Sequence, residues 1–398
     1  MTVKGFRNAG HTPSLIAALV HFDVSFMVWV LLGALGAFVA SDLHLSSAQK
    51  GLMVAIPPLG GAIFRLILGS LADRVGAKAT GLVALSFVFV PLGWASLAGG
   101  TYGQVLGIGL LLGVAGASFA VALPLASRWY PPEYQGLALG IAGAGNSGTV
   151  VAALVAPRLA AHVGWHAVFG LAAIPVAVAW IVFAVFAKEP PRTTGPTGLF
   201  SLLREGDARS LCAFYMVTFG GFVGLAGYLP IFFVDRFGLD KVTAATYAAM
   251  CTLSGSVLRP VGGALADRLG GTRVLKGVLA GVGVIAFGLS SLPGLAATAV
   301  GLGLTLGLLG MGNGAVFQLV PHRFPSRIGA MTGLVGAAGG VGGFLLPFGL
   351  ASLKGTMGTF ATGFVVFAVV AILAAVGVQL RQRSWSLSWA QPRQEAFT

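Results

Sequence analysis

Arg65 and Arg259 are the residues of this sequence with the most chemistry to do. Each interrupts a long apolar run, "GGAIFRLILGSLADRVG" around the first and "SGSVLRPVGGALADRLG" around the second, at a separation of 194 (259 − 65). A guanidinium stays charged at every relevant pH and offers a planar fork of donors matched to oxyanions. No acidic residue lies at comparable depth in the same two runs to neutralise either one. A charge at the centre of a bilayer costs about 2.5–3.5 kcal/mol on insertion scales, so such groups face a bundle interior or a wet cavity. The functional expectation is a clamp that holds an anion between two arginines. The alternative is a pair of structural arginines satisfied by backbone carbonyls.

The elements that must position them follow from composition. Of 398 residues, 56% are hydrophobic and 9% charged, and the mean hydropathy is +0.91. A soluble domain is nearer a quarter charged. Apolar segments of about 20 residues, the length that crosses a 30 Å hydrocarbon core, recur from end to end. Short polar or Pro/Gly breaks divide them into twelve predicted helices, at 14–40, 50–71, 79–98, 103–126, 136–158, 166–187, 210–235, 241–265, 274–294, 296–320, 328–353 and 358–380. The expected class is an all-α membrane protein. The 61 glycines suit it, because small residues let membrane helices approach closely.

The net charge of +13 raises the question of nucleic acid, and its distribution answers it. On the twelve-helix topology, 17 Lys and Arg fall on the side that carries both termini. Five, Lys50, Arg158, Arg236, Lys241 and Lys354, fall on the other. That bias reads as membrane orientation with both termini in the cytosol, and no nucleic acid is expected as a partner. The first apolar segment lacks a small-residue cleavage pattern and is expected to be a retained helix. Cys212 and Cys251 fall inside predicted helices without metal-site spacing, so packing thiols and no metal or cofactor are expected.

The longest polar connection, 188–209, "KEPPRTTGPTGLFSLLREGDAR", splits the helices six and six. The expected organisation is an N-terminal half (1–187), a cytoplasmic linker (188–209) and a C-terminal half with a short tail (210–398). The halves repeat: Asp73 matches Asp267 at the same offset as the arginines, and "RWYPPEYQGLALGIAGAG" corresponds to "HRFPSRIGAMTGLVGAAG". Parallel repeats of this kind place equivalent positions across a central cavity near the midplane. Arg65 lies eight residues before Asp73, about 12 Å along a helix rising 1.5 Å per residue, hence near the membrane centre. The segments "GSLADRVG" and "GALADRLG" resemble the loop signature of the major facilitator superfamily after its second and eighth helices. That resemblance implies two pseudo-symmetric six-helix halves. It also implies a cytoplasmic gate in which Asp73, Arg74, Asp267 and Arg268 latch the halves; the plainer alternative is a solvated turn.

Within that superfamily the chain is similar to the nitrate/nitrite porters. The motifs are "GLALGIAGAGNSGTVVAALVAP" in the fifth helix and "GAMTGLVGAAGGVGGFLLP" in the eleventh, both glycine-rich, and "FYMVTFGGF" in the seventh. "SFMVWVLLGALGAF" in the first helix and "GMGNGAVFQ" in the tenth also fit. The resemblance covers essentially the whole chain and implies that Arg65 and Arg259 hold the anion from opposite sides. Tyr215, Phe219 and Phe119 would line the cavity, with Asn146 as an amide donor beside Gly143 and Gly145, and Asn313 nearby. Nitrate is planar, small and weakly hydrated, which suits aromatic walls and planar donors. For the aromatic residues the alternative is ordinary helix packing. For the glycines, close packing is expected with or without substrate contact.

His21 and Asp23 in "HFDVSFMVW" depart from a purely apolar first helix and form a possible proton site. Asp23 is equally open to a structural role, as the partner of an arginine or a hydrogen bonder between helices. If it does not titrate, two facing arginines repel without an anion between them, and obligatory nitrate/nitrite exchange follows. If it titrates, proton-coupled nitrate symport follows. The expected function is secondary transport by alternating access, by a functional monomer in the inner membrane, with nitrate, nitrite and the lipid bilayer as partners. No nucleotide loop or ligand cluster points to an enzyme or an ATP-driven pump. Another small oxyanion or an organic phosphate or carboxylate is the alternative cargo. A sensor would normally need an output domain, and neither the linker nor the tail is long enough to fold as one.

Overall fold

The computed structural model describes residues 6, 8–131, 134, 138, 141–190, 199–324 and 327–388. Lys4, Arg7, Arg192 and Arg393, counted above for orientation, lie outside them, as do parts of the linker and tail and most of the start of the predicted fifth helix. Helix α1 runs Thr12–Trp29, Leu31–Ala34 and Gly36–Asp42, three pieces where one was expected. Helix α2 is Ser47–Val75 and α3 is Ala77–Leu97. Helix α4 is Tyr102–Gly116 followed by Phe119–Ser127. A 3-10 turn, Ala144–Ser147, leads into Gly148–Leu171. That run breaks at Gly164, whose φ of +78° suits a residue without a Cβ. The part before the break is α5; the part after it joins Ala173–Phe186 as α6. The second half follows as α7 Gly206–Phe237, α8 Lys241–Leu269, α9 Gly271–Leu289, α10 Leu295–Arg323, α11 Ile328–Met357 and α12 Ala361–Ser388. Since α7 begins at Gly206, the last residues of the expected linker are helical.

Ten described stretches are long and apolar enough to cross a membrane. One of them spans both α5 and α6, and α8, which carries Arg259, has the length to cross without the same apolarity. The expected twelve helices in two halves are therefore present. Exposed apolar side chains, among them Val83, Val185, Val284, Phe287 and Leu373, stand on the outside of the bundle. Within a bilayer that surface is solvated by lipid, while helical hydrogen bonding satisfies the backbone.

The repeat is carried with little drift by α2 and α8. Each has 29 residues. Their N-caps, Ser46 and Asp240, are 194 residues apart, and so are the glycines that end them, Gly76 and Gly270, with φ of +106° and +89°. A side-chain oxygen at each N-cap accepts from backbone N–H groups that the first turn leaves unpaired. Ser46 accepts from Gln49 N within a capping box, and Asp240 accepts from Val242 N and Thr243 N. The hydrogen bonds from Thr243 hold the Asp240 carboxyl below the usual carboxylate range.

The halves meet along α2 with α11 and along α5 with α8. One end of the bundle gathers the start of α1, the α2–α3 turn and the exit from α6: Lys188 N donates to Ser14 Oγ at 2.8 Å, and the Glu189 carboxylate accepts from Ala77 N and Lys78 N. We call this the terminal end. The other end carries Lys50, Asp235, Lys241 and Lys354.

Candidate anion-binding site

Arg65 lies two-thirds of the way along α2 with a side chain that is 1% exposed. Its Nε and Nη2 donate to Gly116 O at 3.1 and 3.0 Å, and its Nη1 donates to Gly336 O of α11, in the other half. The Gly116 carbonyl is free to accept because α4 breaks just after it: Ala120 N–H bonds Ala117 O at 2.9 Å instead of reaching back to Gly116. The guanidinium carbon also stands 5.3 Å from the Trp29 ring, 5.7 Å from Phe119 and 5.2 Å from Phe219. Cation–π attraction of this kind is worth about 2 kcal/mol or more when desolvated. The carbonyl-held arginine of the sequence reading is thus what the polar contacts of Arg65 display. The rings and the second arginine around it carry the site further.

Arg259 is half-buried on α8, 5.9 Å from the Phe317 ring of α10. Tyr215 lies close enough to both arginines to interact electrostatically with each. Tyr215 stacks on Phe219 at 5.0 Å with 5° between planes, and its edge meets Phe317 at 5.1 Å. Phe317 in turn packs on Phe119 at 5.6 Å. Trp29 lies nearly parallel to Phe219 at 6.4 Å and is fixed by its Nε1–H donating to Pro57 O at 2.9 Å. Arg65, Arg259, Tyr215, Phe219 and Phe119 therefore come together as the sequence suggested. Trp29 and Phe317 complete the box.

Two glycines of α11 make room for it. A Cβ at Gly339 would sit 2.7 Å from Tyr215 and 2.8 Å from Phe219, so the aromatic pair packs directly on helix backbone. A Cβ at Gly336 would meet Arg65 and Phe119 at 3.6 Å.

Asn146 sits in the 3-10 turn at the head of α5. Its Nδ2 donates to Ser256 Oγ of α8 at 3.2 Å, while its buried Oδ1 has no partner among the described residues. Rotating the amide by 180° lets Ser256 donate to Oδ1 and turns the NH2 toward the space that Oδ1 now faces. Asn313 of α10 is buried with its Oδ1 in the same condition. The expected glycines differ from each other. Gly145 packs on α1, where a Cβ would fall 2.9 Å from Asp23 N, whereas a Cβ at Gly143 would meet nothing within 4 Å among the described residues. Close packing was expected of both; among the described residues only Gly145 shows it.

His21 and Asp23 do not form one site. Two residues apart on a helix, they point to nearly opposite sides. His21 is fully buried against Phe183 of α6 at 4.6 Å. Asp23 accepts from Ser147 Oγ of the 3-10 turn at 2.6 Å and forms no ion pair among the described residues, so of the two structural alternatives it shows the hydrogen bond between helices and not the arginine partner.

Among the described residues, the expected latch is not engaged. Asp73 pairs with Arg128 of its own half at 3.4 Å, and Arg74, Asp267 and Arg268 are exposed. Arg323 with Asp207 and Arg327 with Glu205 are likewise pairs within one half. The physical reason lies at the opposite end, where Lys50 of the first half pairs with Asp235 of the second at 2.8 Å. One residue further along α2, a Cβ at Gly51 would come 2.2 Å from the Ala351 Cβ, and nearer the middle of the helices a Cβ at Gly340 would come 2.8 Å from Pro58 O. The halves are drawn together there and at mid-depth.

Twelve helices in two halves around a central site of charge and aromatic rings describe a carrier fold. The sequence matches the profile described as Major Facilitator Superfamily over residues 17–347, so the chain belongs to that superfamily. It is 36% identical to the "Nitrite extrusion protein" of Bacillus subtilis (strain 168), over 88% of this chain and 89% of that one. It is 32% identical to the "Probable nitrate/nitrite transporter NarK2" of Mycobacterium tuberculosis, over 94% and 97%. It is also 32% identical to the "Probable nitrate/nitrite antiporter NarK1" of Thermus thermophilus, over 88% and 87%. Among solved structures, the fold resembles a bacterial homologue of the human lysosomal transporter Spinster, with a TM-score of 0.75 at 17% identity over 97% of this chain and 99% of that one. A D-xylose-proton symporter gives 0.75 at 16% identity over 92% and 96%.

Proposed function

We propose that this chain is a secondary transporter of nitrate and nitrite in the cytoplasmic membrane, working as a monomer by alternating access, with exchange of the two anions favoured. The observation that carries the proposal is Arg65: a guanidinium 1% exposed, ringed by Trp29, Phe119 and Phe219, and paired with no carboxylate among the described residues. A small planar oxyanion between Arg65 and Arg259 would replace the Gly336 carbonyl as acceptor and supply the missing charge. Tyr215 would donate or hold Arg259 in register, and the amides of Asn146 and Asn313 would turn donors toward the anion. Aromatic walls favour a weakly hydrated anion over a strongly hydrated one. The names of the relatives support the same cargo.

Positive charge concentrated at the terminal end supports cytosolic termini. The halves are joined at the far end, which supports a carrier closed to the outside. When it opens outward, Asp73, Arg74, Asp267 and Arg268 would come together and latch the terminal end.

Exchange follows from the charge balance. Without an anion the two guanidiniums repel and the site resists occlusion, so each half-cycle needs cargo. Proton-coupled nitrate uptake is the second reading, and it is favoured by Asp23, a carboxylate that forms no ion pair among the described residues. Purified protein in liposomes separates the two. Nitrate uptake that needs internal nitrite or nitrate and ignores a proton gradient is the result expected for exchange. Uptake into anion-free liposomes driven by an inward proton gradient overturns exchange in favour of symport. Absence of any nitrate or nitrite flux overturns both.

A further inference from the structure

The ion pairs at the far end have a composition that an incidental surface contact does not need. Asp235, in the last turn of α7, takes Lys50 on Oδ1 at 2.8 Å and Lys354 on Oδ2 at 2.9 Å. The carboxylate side chain is 11% exposed. Lys354, in the last turn of α11, belongs to the same half as Asp235, whereas Lys50, in the first turn of α2, comes from the other half. The repeat does not require this arrangement: the position of α8 that matches Lys50 at the offset of 194 is Ala244. Beside the pair lies an outward cavity of about 300 Å³ lined from both halves, by Ala37, Ala40 and His44 on one side and Ile231 and Val234 on the other. Lys50 and Asp235 form part of its wall. A second tie crosses nearby, with Lys241 Nζ 5.0 Å from the Phe38 ring.

We propose that Lys50 and Asp235 are the extracytoplasmic gate of the carrier, and that Lys354 is its permanent counter-ion. The inference rests on the alternating-access reading but not on the identity of the cargo. One carboxylate between two ammonium groups can release one of them and remain neutralised. As the halves separate, Lys50 leaves with α2, and Lys354 keeps Asp235 charged and oriented for the return. The released Lys50 then stands on the wall of the widened cavity as an unpaired positive charge, which raises the local concentration of incoming anions. A gate built from Lys50 and Asp235 alone would leave a partly buried carboxylate unpaired in every open state, at a desolvation cost that Lys354 removes.

The test reads the gate without reading transport. Ala226 of α7 lines the narrow recess between the halves, together with Val30, Ala34 and Gly227. In a Cys212→Ser/Cys251→Ser background, Ala226→Cys is labelled from outside by a membrane-impermeant maleimide. Asp235→Asn and Lys50→Gln are expected to raise the labelling rate by about 5-fold or more, the lower end of a typical coupling between two states. Lys354→Gln is expected to raise it less than either. Unchanged labelling in Asp235→Asn and Lys50→Gln overturns the proposal. So does an effect of Lys354→Gln equal to that of Lys50→Gln, which would make the cluster a local support of the second half. A Lys50→Cys/Asp235→Cys variant guards against misfolding: a short bifunctional thiol reagent should suppress external labelling at Ala226→Cys and stop anion flux. Persistent flux in the cross-linked protein overturns the gate.

Discussion

Helices α2 and α8 match in length, caps and terminal glycines, and each carries one arginine at the same register, yet the two arginines live differently. Arg65 is buried, donates to carbonyls from both halves and stands among three rings. Arg259 is half-buried, near one ring, with the Tyr215 hydroxyl as its polar neighbour. The repeat sets where a charge sits, and the neighbours set what it does. Arg65 has the surroundings of a fixed anchor, and Arg259 those of a movable second jaw. In the proposed clamp that inequality would serve release, because two rigid jaws would hold the anion too well to let it go.

The largest effect that sharpens the comparison is Arg65→Lys. The substitution keeps the charge and loses the fork, and with hydrogen bonds to charged groups worth about 1.5–3 kcal/mol it should cost roughly 10–150-fold in transport efficiency. Nitrate/nitrite exchange in liposomes reads the loss. Arg259→Lys comes next, with about 10-fold, appearing mainly as a raised KM because the movable jaw contributes to capture. Equal losses in the two variants would break the distinction between anchor and jaw. Tyr215→Phe removes the hydroxyl beside Arg259, for about 1 kcal/mol or roughly 5-fold in KM. In a double-mutant cycle it should couple to Arg259→Lys more strongly than to Arg65→Lys. The smallest effect belongs to the caps. Asp240→Ala should lower thermal stability at neutral pH, and the difference should fade in acid. Because the folded-state carboxyl is held below its usual range, its contribution is present above the unfolded pKa and is lost as pH falls through the folded one. Melting curves of both proteins across pH 3–7 check this, and a difference that persists in acid would assign the effect to something other than the charged cap.

Much of this was legible in the sequence because the repeat recurs at one offset: Arg65 with Arg259, Asp73 with Asp267, Gly76 with Gly270. Length and apolarity gave the twelve helices. The breaks in α1 and α4 were not legible, since they occur in "WVLLGALG" and "GASFAV", where no proline or charge marks them. The two carbonyls that hold Arg65 are backbone groups, invisible to any reading of side chains, although Gly336 lies in a segment singled out for its glycines. Trp29 and Phe317 were missed because an aromatic residue in an apolar helix reads as packing until its neighbours are known. Lys50 counted only toward orientation, because nothing local ties it to Asp235, 185 residues away.

Binding of nitrate to the purified protein, by calorimetry, tests the clamp most directly, with wild type, Arg65→Lys and Arg259→Lys side by side. The account predicts one anion per wild-type chain, binding lost or weakened by at least about 10-fold in Arg65→Lys, and a smaller weakening in Arg259→Lys. Arg65→Lys binding nitrate as tightly as wild type would contradict it and return Arg65 to the role of a structural arginine held by the carbonyls of Gly116 and Gly336.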